Sequence, residues 1–456
     1  MYRYIRFITV IAILFFLGSC TKDIFSIENR DKNIKNEDNF SKENIDKNYK
    51  KIDIKKYYLE DFFILSAYDL EAQNSYEEAR EIYLNLFFKT NNSIYLVNYL
   101  RVSLLMNDYK SIIENSQKYY FDNIKDEEEI LRLYSFALLN QKDFENALKY
   151  GLILVKKYKN SNNYELLGNI YLVKEDFKNS YESYLKANKY SNSASSIHAL
   201  SGIEFFKFNQ KDKAINRLQI AIKDKNYNYL LVLQALLFFD TLKDDEKVNN
   251  LLKDSYKFYL ENNLFYEKQE LINLIFERFK TEDKIIDFLV TNGIEDDFLL
   301  NLYISKGDKK NGLKLASKLY DINQIDDFLA YQAMFRYEIA LEDNNLNNKE
   351  LEDIIFMLEE VVETSSRALY QNYLAYILID NDKDYLKGIA LVKDALSQDP
   401  ENYAYIDTLA WGEYKIKNCK KALELIKIVI EKVGLDDKEV KLHYEKIKEC
   451  TKNDIR

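Results

Sequence analysis

The sequence predicts an all-α chain built as a linear array of antiparallel helix pairs, and three observations predict it. The stretch at 163–187, NYELLGNIYLVKEDFKNSYESYLKA, lands on itself when moved forward by 34 residues: Gly168 falls on Gly202, Tyr171 on Phe205, Ser180 on Ala214, Tyr184 on Leu218 and Ala187 on Ala221. A fixed period in this range marks stacked units of one supersecondary element. The 456 residues include one proline and 10 glycines, whereas strand-rich chains use both freely as turn residues. Apolar residues recur at helical spacing from near Lys55 almost to the end, without strand-like alternation. Hydrophobic residues make up 47% of the chain, enough for a continuous core. Its many tyrosines suit half-buried helix faces, where the ring packs and the hydroxyl stays wet.

The chain opens on the basic segment MYRYIR, followed by an apolar run at 7–17 and then Leu17-Gly18-Ser19-Cys20. The apolar run is too short to span a bilayer as a stable anchor. A basic start, an apolar middle and small residues ahead of a cut site define a secretory signal peptide. A Cys directly after the small residues resembles the lipobox of bacterial lipoproteins. That resemblance implies a signal peptide at 1–19, cleavage before Cys20, and a diacylglyceryl group on the Cys20 thiol, usually with an acyl group on the new amino terminus. Several acyl chains hold a protein stably at a membrane surface where one does not. The alternatives are an ordinary signal peptide with a chance Cys, or an uncleaved anchor helix.

Residues 20–52 follow as the lipidated Cys and a disordered tether. The stretch 21–50 carries seven basic residues, seven acidic residues and six Asn, with no helical apolar stripe. Such a segment cannot bury enough apolar surface to offset its ordering entropy. As a coil it reaches roughly 30 Å, so the folded body stands off the bilayer. A first irregular helix at 45–58 is the alternative.

The array occupies 53–434. The residue marking the close approach of the second helix to the first can be followed through Ala79, Ile112, Ala147, Ser180, Ala214 and Val248. A short degenerate pair lies near 271–290, Gly312 marks the next, and a longer pair covers 326–363 with the loop 342–349 between its helices. Gly388 and Ala422 mark the last two. The 34-residue helix–turn–helix period resembles the tetratricopeptide repeat, over roughly 60–431. The best copies carry Leu374, Ala375, Gly388, Ala395 and Pro400, then Leu409, Ala410, Ala422 and Val429. The last repeat departs from the family pattern with Glu413 where Tyr is favoured and Cys419 where an aromatic is usual. The resemblance implies a right-handed superhelical solenoid of about 10–11 repeats. A generic helical repeat or bundle is the alternative. Residues 435–456 then read as the capping helix and tail, with Val440, Tyr444 and Ile447 on one side, because a terminal repeat needs a polar outer face.

The sequence offers little to enzymatic chemistry. Its two histidines, His198 and His443, have no metal-ligand spacing, and there is no glycine-rich phosphate loop or GxSxG elbow. We therefore expect no catalytic residue, no metal, no cofactor and no small-molecule substrate. The paired acids Asp296-Asp297 and Asp326-Asp327 read as helix starts, where carboxylates meet the positive end of the dipole. A net charge of −10 argues against nucleic acid, which needs clustered Lys and Arg. Cys419 and Cys450 either pair in an oxidising compartment or stand as buried thiols.

What remains is the surface of the repeats. In the family it resembles, the first helix of each pair lines the concave face. The matching positions here include Val97, Arg101, Arg132, Phe136, Glu165, Asn169, Ala199, Ile203, Leu233 and Leu237, and in the last repeat Asp407, Trp411 and Tyr414. Of these, Asp407, Trp411, Tyr414, Arg132, Phe136, Glu165 and Asn169 are the candidate partner-binding residues. Trp411 is the only tryptophan, the residue most often an interaction anchor, although packing between repeats would equally hold it. The resemblance implies a membrane-anchored scaffold or assembly factor of the bacterial cell envelope, at the periplasmic face or the cell surface. It would hold an extended peptide or helix of a protein partner. The alternative is a lipoprotein that binds peptidoglycan or polysaccharide, or serves its export.

Overall fold

The computed structural model describes residues 54–120 and 128–453. The signal peptide, Cys20 and the tether of the sequence reading lie outside the described residues. Among the described residues there are twenty-three α-helices and no strand, and no helix is long and apolar enough to cross a membrane.

Two compact units divide the chain, one ending at Lys268 and the other starting at Gln269. In the first, α1 (Ile54–Ala72) pairs with α2 (Tyr76–Thr90), and α3 (Ser93–Leu105) with α4 (Tyr109–Asn115), which runs on into a π-helical turn at Ser116–Tyr120. Then come α5 (Glu128–Asn140) with α6 (Phe144–Lys157), α7 (Ser161–Val173) with α8 (Phe177–Tyr190), and α9 (Ala194–Phe206) with α10 (Lys211–Asp224). The pair α11 (Tyr229–Leu242) and α12 (Asp245–Glu261) follows, and the unit boundary falls inside α13 (Phe265–Phe279). The second unit holds α14 (Glu282–Thr291), α15 (Asp297–Lys306) with α16 (Lys309–Asn323), and α17 (Asp326–Glu342) with α18 (Asn348–Thr364). It ends with α19 (Ala368–Asp380) and α20 (Tyr385–Gln398), α21 (Tyr403–Lys415) and α22 (Cys419–Val433), and the lone α23 (Lys438–Asn453). The first helix of each pair is helix A below, the second helix B.

Most pairs are joined by a short turn, and in several of them it is built one way. After α5, α7 and α11 the chain passes through a single left-handed residue, Lys142 (φ 65°), Glu175 (φ 60°) or Lys243 (φ 59°). The following Asp143, Asp176 or Asp244 donates its N–H back to Leu138, Tyr171 or Phe239 at 2.9 Å, closing the six-residue C-terminal motif of helix A. The carboxylate of the same Asp then accepts the N–H of Asn146, Asn179 or Lys247 and caps helix B. One aspartate thus ends one helix and starts the next. Lys, Glu and Asn fill left-handed positions where glycine is usual, so the chain turns repeatedly on little glycine.

The marker residues read from the sequence all lie on helix B and are buried: Ala79, Ile112, Ala147, Ser180, Ala214, Val248 and Ala422, with Gly312 and Gly388. Smallness there has a steric cause. A Cβ on Gly388 would sit 2.6 Å from Ile379 Cγ1 and 3.0 Å from the Ala375 carbonyl oxygen, and one on Gly312 would sit 2.6 Å from the ring of Phe335. Ser180 adds a tie, its hydroxyl donating to the Gly168 carbonyl at 2.9 Å. The degenerate and the extended pairs fall where the sequence placed them, as α13–α14 and α17–α18.

The acid pairs behave in two ways. Asp296 caps α15 by accepting from Leu299 N at 3.2 Å, as expected. At α17 the cap position is Ile325, and Asp327 instead accepts from the Tyr370 hydroxyl of the next pair at 2.8 Å. In α23, Val440 and Ile447 are buried and pack on the core of α21 and α22. Cys419, at the start of α22, is disulfide-bonded to Cys450, near the end of α23, with the Cα atoms 5.7 Å apart, within the ordinary span of such a bridge.

Candidate functional site: the A-helix faces

Helix A of each pair packs on its own helix B and on its neighbours, and carries a line of polar side chains aimed at the next pair. These rungs recur at about one repeat. In the first unit the Tyr95 hydroxyl donates to Glu60 at 2.5 Å, and Arg101 forks onto Glu71 at 2.6 and 2.7 Å. Asn163 donates to Glu128 at 2.9 Å, Ser196 to Glu165 at 2.7 Å, and Ser201 to Gln234 at 3.0 Å. In the second unit Trp411 Nε1 donates to Asp380 at 3.0 Å, and His443 Nδ1 lies 2.9 Å from Asp407 Oδ2. The last rung spans 36 residues, the same order as the others, so α23 stands in the place of helix A of one further repeat.

The candidate partner residues separate against this pattern. Arg132 is held by Glu128 at 3.1 Å, by Glu129, and by Asn163 at 3.1 Å. Glu165 accepts from Ser193 at 2.5 Å as well as from Ser196, and Asn169 accepts from the Tyr184 hydroxyl. These three spend their polar atoms between and within repeats. Phe136 is half-buried, its ring 6.4 Å from that of Tyr109. In the last repeat Trp411 is 7% exposed. Its indole stacks with the rings of His443, 4.1 Å away, and Tyr414, 4.7 Å away, and Lys415 Nζ stands 5.2 Å from its centroid. Asp407 is 8% exposed, covered by the same His443, and only Tyr414 keeps a half-exposed edge. Of the other inward positions, Ala199 and Ile203 are buried, Ala199 against Tyr184 of the preceding pair. Beside them on α9, His198 and Gly202 are half-exposed. Although His198 keeps an accessible edge, the protein packed around its imidazole pushes its pKa down to about 4.

Sequence reasoning missed three participants: Asp380, His443 and Glu204. The first two had a signal, since each lies about one repeat from its partner. Glu204, on α9, is fully buried. Arg217 grips it with Nε at 2.9 Å and Nη2 at 2.7 Å, and Tyr181 donates at 2.6 Å. Burial works to raise its pKa, but the hydrogen bonds from Arg217 and Tyr181 and the nearby charges outweigh it and leave the carboxyl below its ordinary value. Nothing local in the sequence distinguishes this Glu from a solvated one.

In the first unit the A-helix faces carry accessible apolar residues among the polar ones. Val97, Phe136, Leu233 and Leu237 are half-buried, and Phe206 at the end of α9 is 52% exposed. Among the described residues no cluster of His, Cys, Asp and Glu has the arrangement to hold a metal ion.

No family model matches this sequence, and no curated protein matches it. Among solved structures the chain is similar to the crystal structure of the APC/C hetero-tetramer Cut9–Hcn1, at 11% identity and a TM-score of 0.33, over 86% of this chain and 98% of that one. It is similar to the TPR domain of P58(IPK), at 11% identity and a TM-score of 0.30, over 87% and 99%. It is also similar to Naa15/Naa10 bound to HypK-THB, at 13% identity and a TM-score of 0.28, over 85% and 66%. These likenesses are too slight to carry an argument about this chain, and its architecture rests on its own helix pairs.

Proposed function

We propose that this chain is a lipid-anchored repeat scaffold of the bacterial cell envelope that holds an extended peptide or a helix of a protein partner against its A-helix faces. The single observation that carries the binding reading is the presence of half-buried apolar residues on three A helices of the first unit, Val97 on α3, Phe136 on α5 and Leu233 and Leu237 on α11, beside polar rungs already satisfied within the fold. Such a surface offers apolar anchor sites of the kind that bind helices and extended chains. Its work is binding and not catalysis. The anchoring reading rests on the lipobox at Cys20, and the Cys419–Cys450 bridge supports an oxidising compartment.

The binding test is photocrosslinking in intact membranes. A photoreactive residue at Phe136 or Leu237 is expected to capture a discrete protein partner, while one at Trp411, which is shielded, is expected to stay silent. Equal capture from Lys186, an exposed residue on α8, would show non-specific contact and overturn the reading. The anchoring test is metabolic lipid labelling. Cys20→Ala is expected to abolish the label and release the protein from the mature membrane form, and unchanged labelling would remove the lipobox from the account.

A further inference from the structure

The pair α17–α18 departs from the period, and the departure builds a cleft. Its helices have 17 residues each, against 13 and 14 in the pair that follows, and its loop runs through 343–347. The end of this longer hairpin and α16 of the pair before it bound a cleft of about 420 Å³, within the span of small-ligand sites. Gln332, Arg336 and Ile339 line it from one stripe of α17, and Leu313 and Ser317 from one stripe of α16. Asn345, Asn347 and Glu350 line it from the loop and the start of α18. Part of this lining is fixed. Arg336 Nε donates to Glu350 at 2.9 Å, Arg336 Nη1 lies 3.3 Å from Met357 Sδ, and Asn347 Oδ1 accepts from Glu350 N at 3.0 Å. The side chains of Ser317, Gln332 and Asn345, by contrast, bond no other group among the described residues. The rungs of the other A helices spend such groups between repeats; here they are left open to the cleft.

We propose that this cleft binds a neutral saccharide through hydrogen bonds to Ser317, Gln332, Asn345 and Asn347. Charge, hydrogen-bonding chemistry and shape select that ligand. The charged lining groups, Arg336 and Glu350, pair with each other. An anion therefore finds no spare positive charge, and a cation meets the guanidinium. The open groups are a hydroxyl and two amides, which both donate and accept, as sugar hydroxyls do. Asn347, whose Oδ1 is taken, keeps its Nδ2 donors. Leu313, Ile339 and Ala340 supply an apolar side for the C–H face of a sugar ring. The lining is confined to 313–350 and does not run across successive A helices, which suits a compact ligand better than an extended peptide. The site lies wholly in the second unit, so it stands apart from the peptide reading given to the first.

The test uses the full chain, purified in a detergent without a sugar headgroup. Saturation-transfer NMR is recorded with cellobiose, maltose and N,N′-diacetylchitobiose, and with the uncharged peptide acetyl-trialanine amide. The expected result is transfer to the ring protons of at least one disaccharide and none to the peptide. Gln332→Ala and Asn345→Ala remove side chains that bond nothing within the fold, so both are expected to keep the wild-type circular dichroism and urea midpoint. Each is expected to raise the dissociation constant about tenfold, the loss of one hydrogen bond. If Gln332→Ala lowers the urea midpoint, Asn345→Ala, on the exposed loop, decides by itself. Transfer to no disaccharide overturns the proposal. Unchanged affinity in the variants places the sugar elsewhere and overturns it as well. Transfer to the peptide that the same variants weaken assigns the cleft to a peptide, and the saccharide reading falls.

Discussion

Glu204 is the residue on which the first unit concentrates its buried charge. Removing one partner of a buried ion pair leaves the other uncompensated, at a cost of about 3 kcal/mol or more, so Glu204→Gln is expected to lower stability in urea by that order. Because the folded-state pKa is held below the ordinary value, the carboxylate contributes its stability above the unfolded-state pKa and loses it as pH falls through the folded one. Wild type is therefore expected to lose stability as pH drops below the ordinary Glu range, and the variant to lack that part of the acid limb. Identical pH slopes for the two would remove Glu204 from the account. The same scale shows what a sequence leaves hidden. Asp407 and Trp411 occupy the positions that the resemblance assigns them, yet they are covered, because His443 arrives from the capping helix α23, whose contacts the repeat pattern does not specify. Ala199 and Ile203 hold positions that the family resemblance turns inward, and they are buried while their neighbours His198 and Gly202 are half-exposed. Position within one helix was legible; what docks on it from another was not.

At the scale of the element, the turn between helix A and helix B carries a testable division of labour. Asp176 both closes α7 and caps α8. Asp176→Ala is expected to cost about 1 kcal/mol, the usual loss of an N-cap. Glu175 sits at φ 60°, where a Cβ is unfavourable, and Glu175→Gly is expected to gain up to about 1 kcal/mol by relieving it. Chemical denaturation of the two variants checks both signs. A loss on Glu175→Gly would mean that the side chain holds the turn through a contact stronger than the backbone preference. The helix pairs were readable because period, small buried residues and caps all recur together, as at Gly168, Ser180 and Asp176. The unit boundary inside α13 was not, since its pair keeps the helical pattern while losing the small-residue marker.

For the whole molecule, a chain of stacked repeats in which each pair contacts mainly its neighbours has no single core, and its stability is a sum of local terms and interfaces. Different probes should then report different parts of it. Trp411 is the only tryptophan and lies in the last repeat against His443 of α23, so its emission reads the C-terminal end. Far-ultraviolet circular dichroism reads all the helices at once. The Cys419–Cys450 bridge closes a segment with a sequence separation of 31, and a loop of that length restricts the unfolded chain by about 3–4 kcal/mol in the chain-entropy account. Reduction, or Cys450→Ser, is expected to move the Trp411 transition to lower urea while the circular-dichroism midpoint moves much less. If both midpoints shift together by the same amount, the chain unfolds as one cooperative body, and the local description of its stability does not hold.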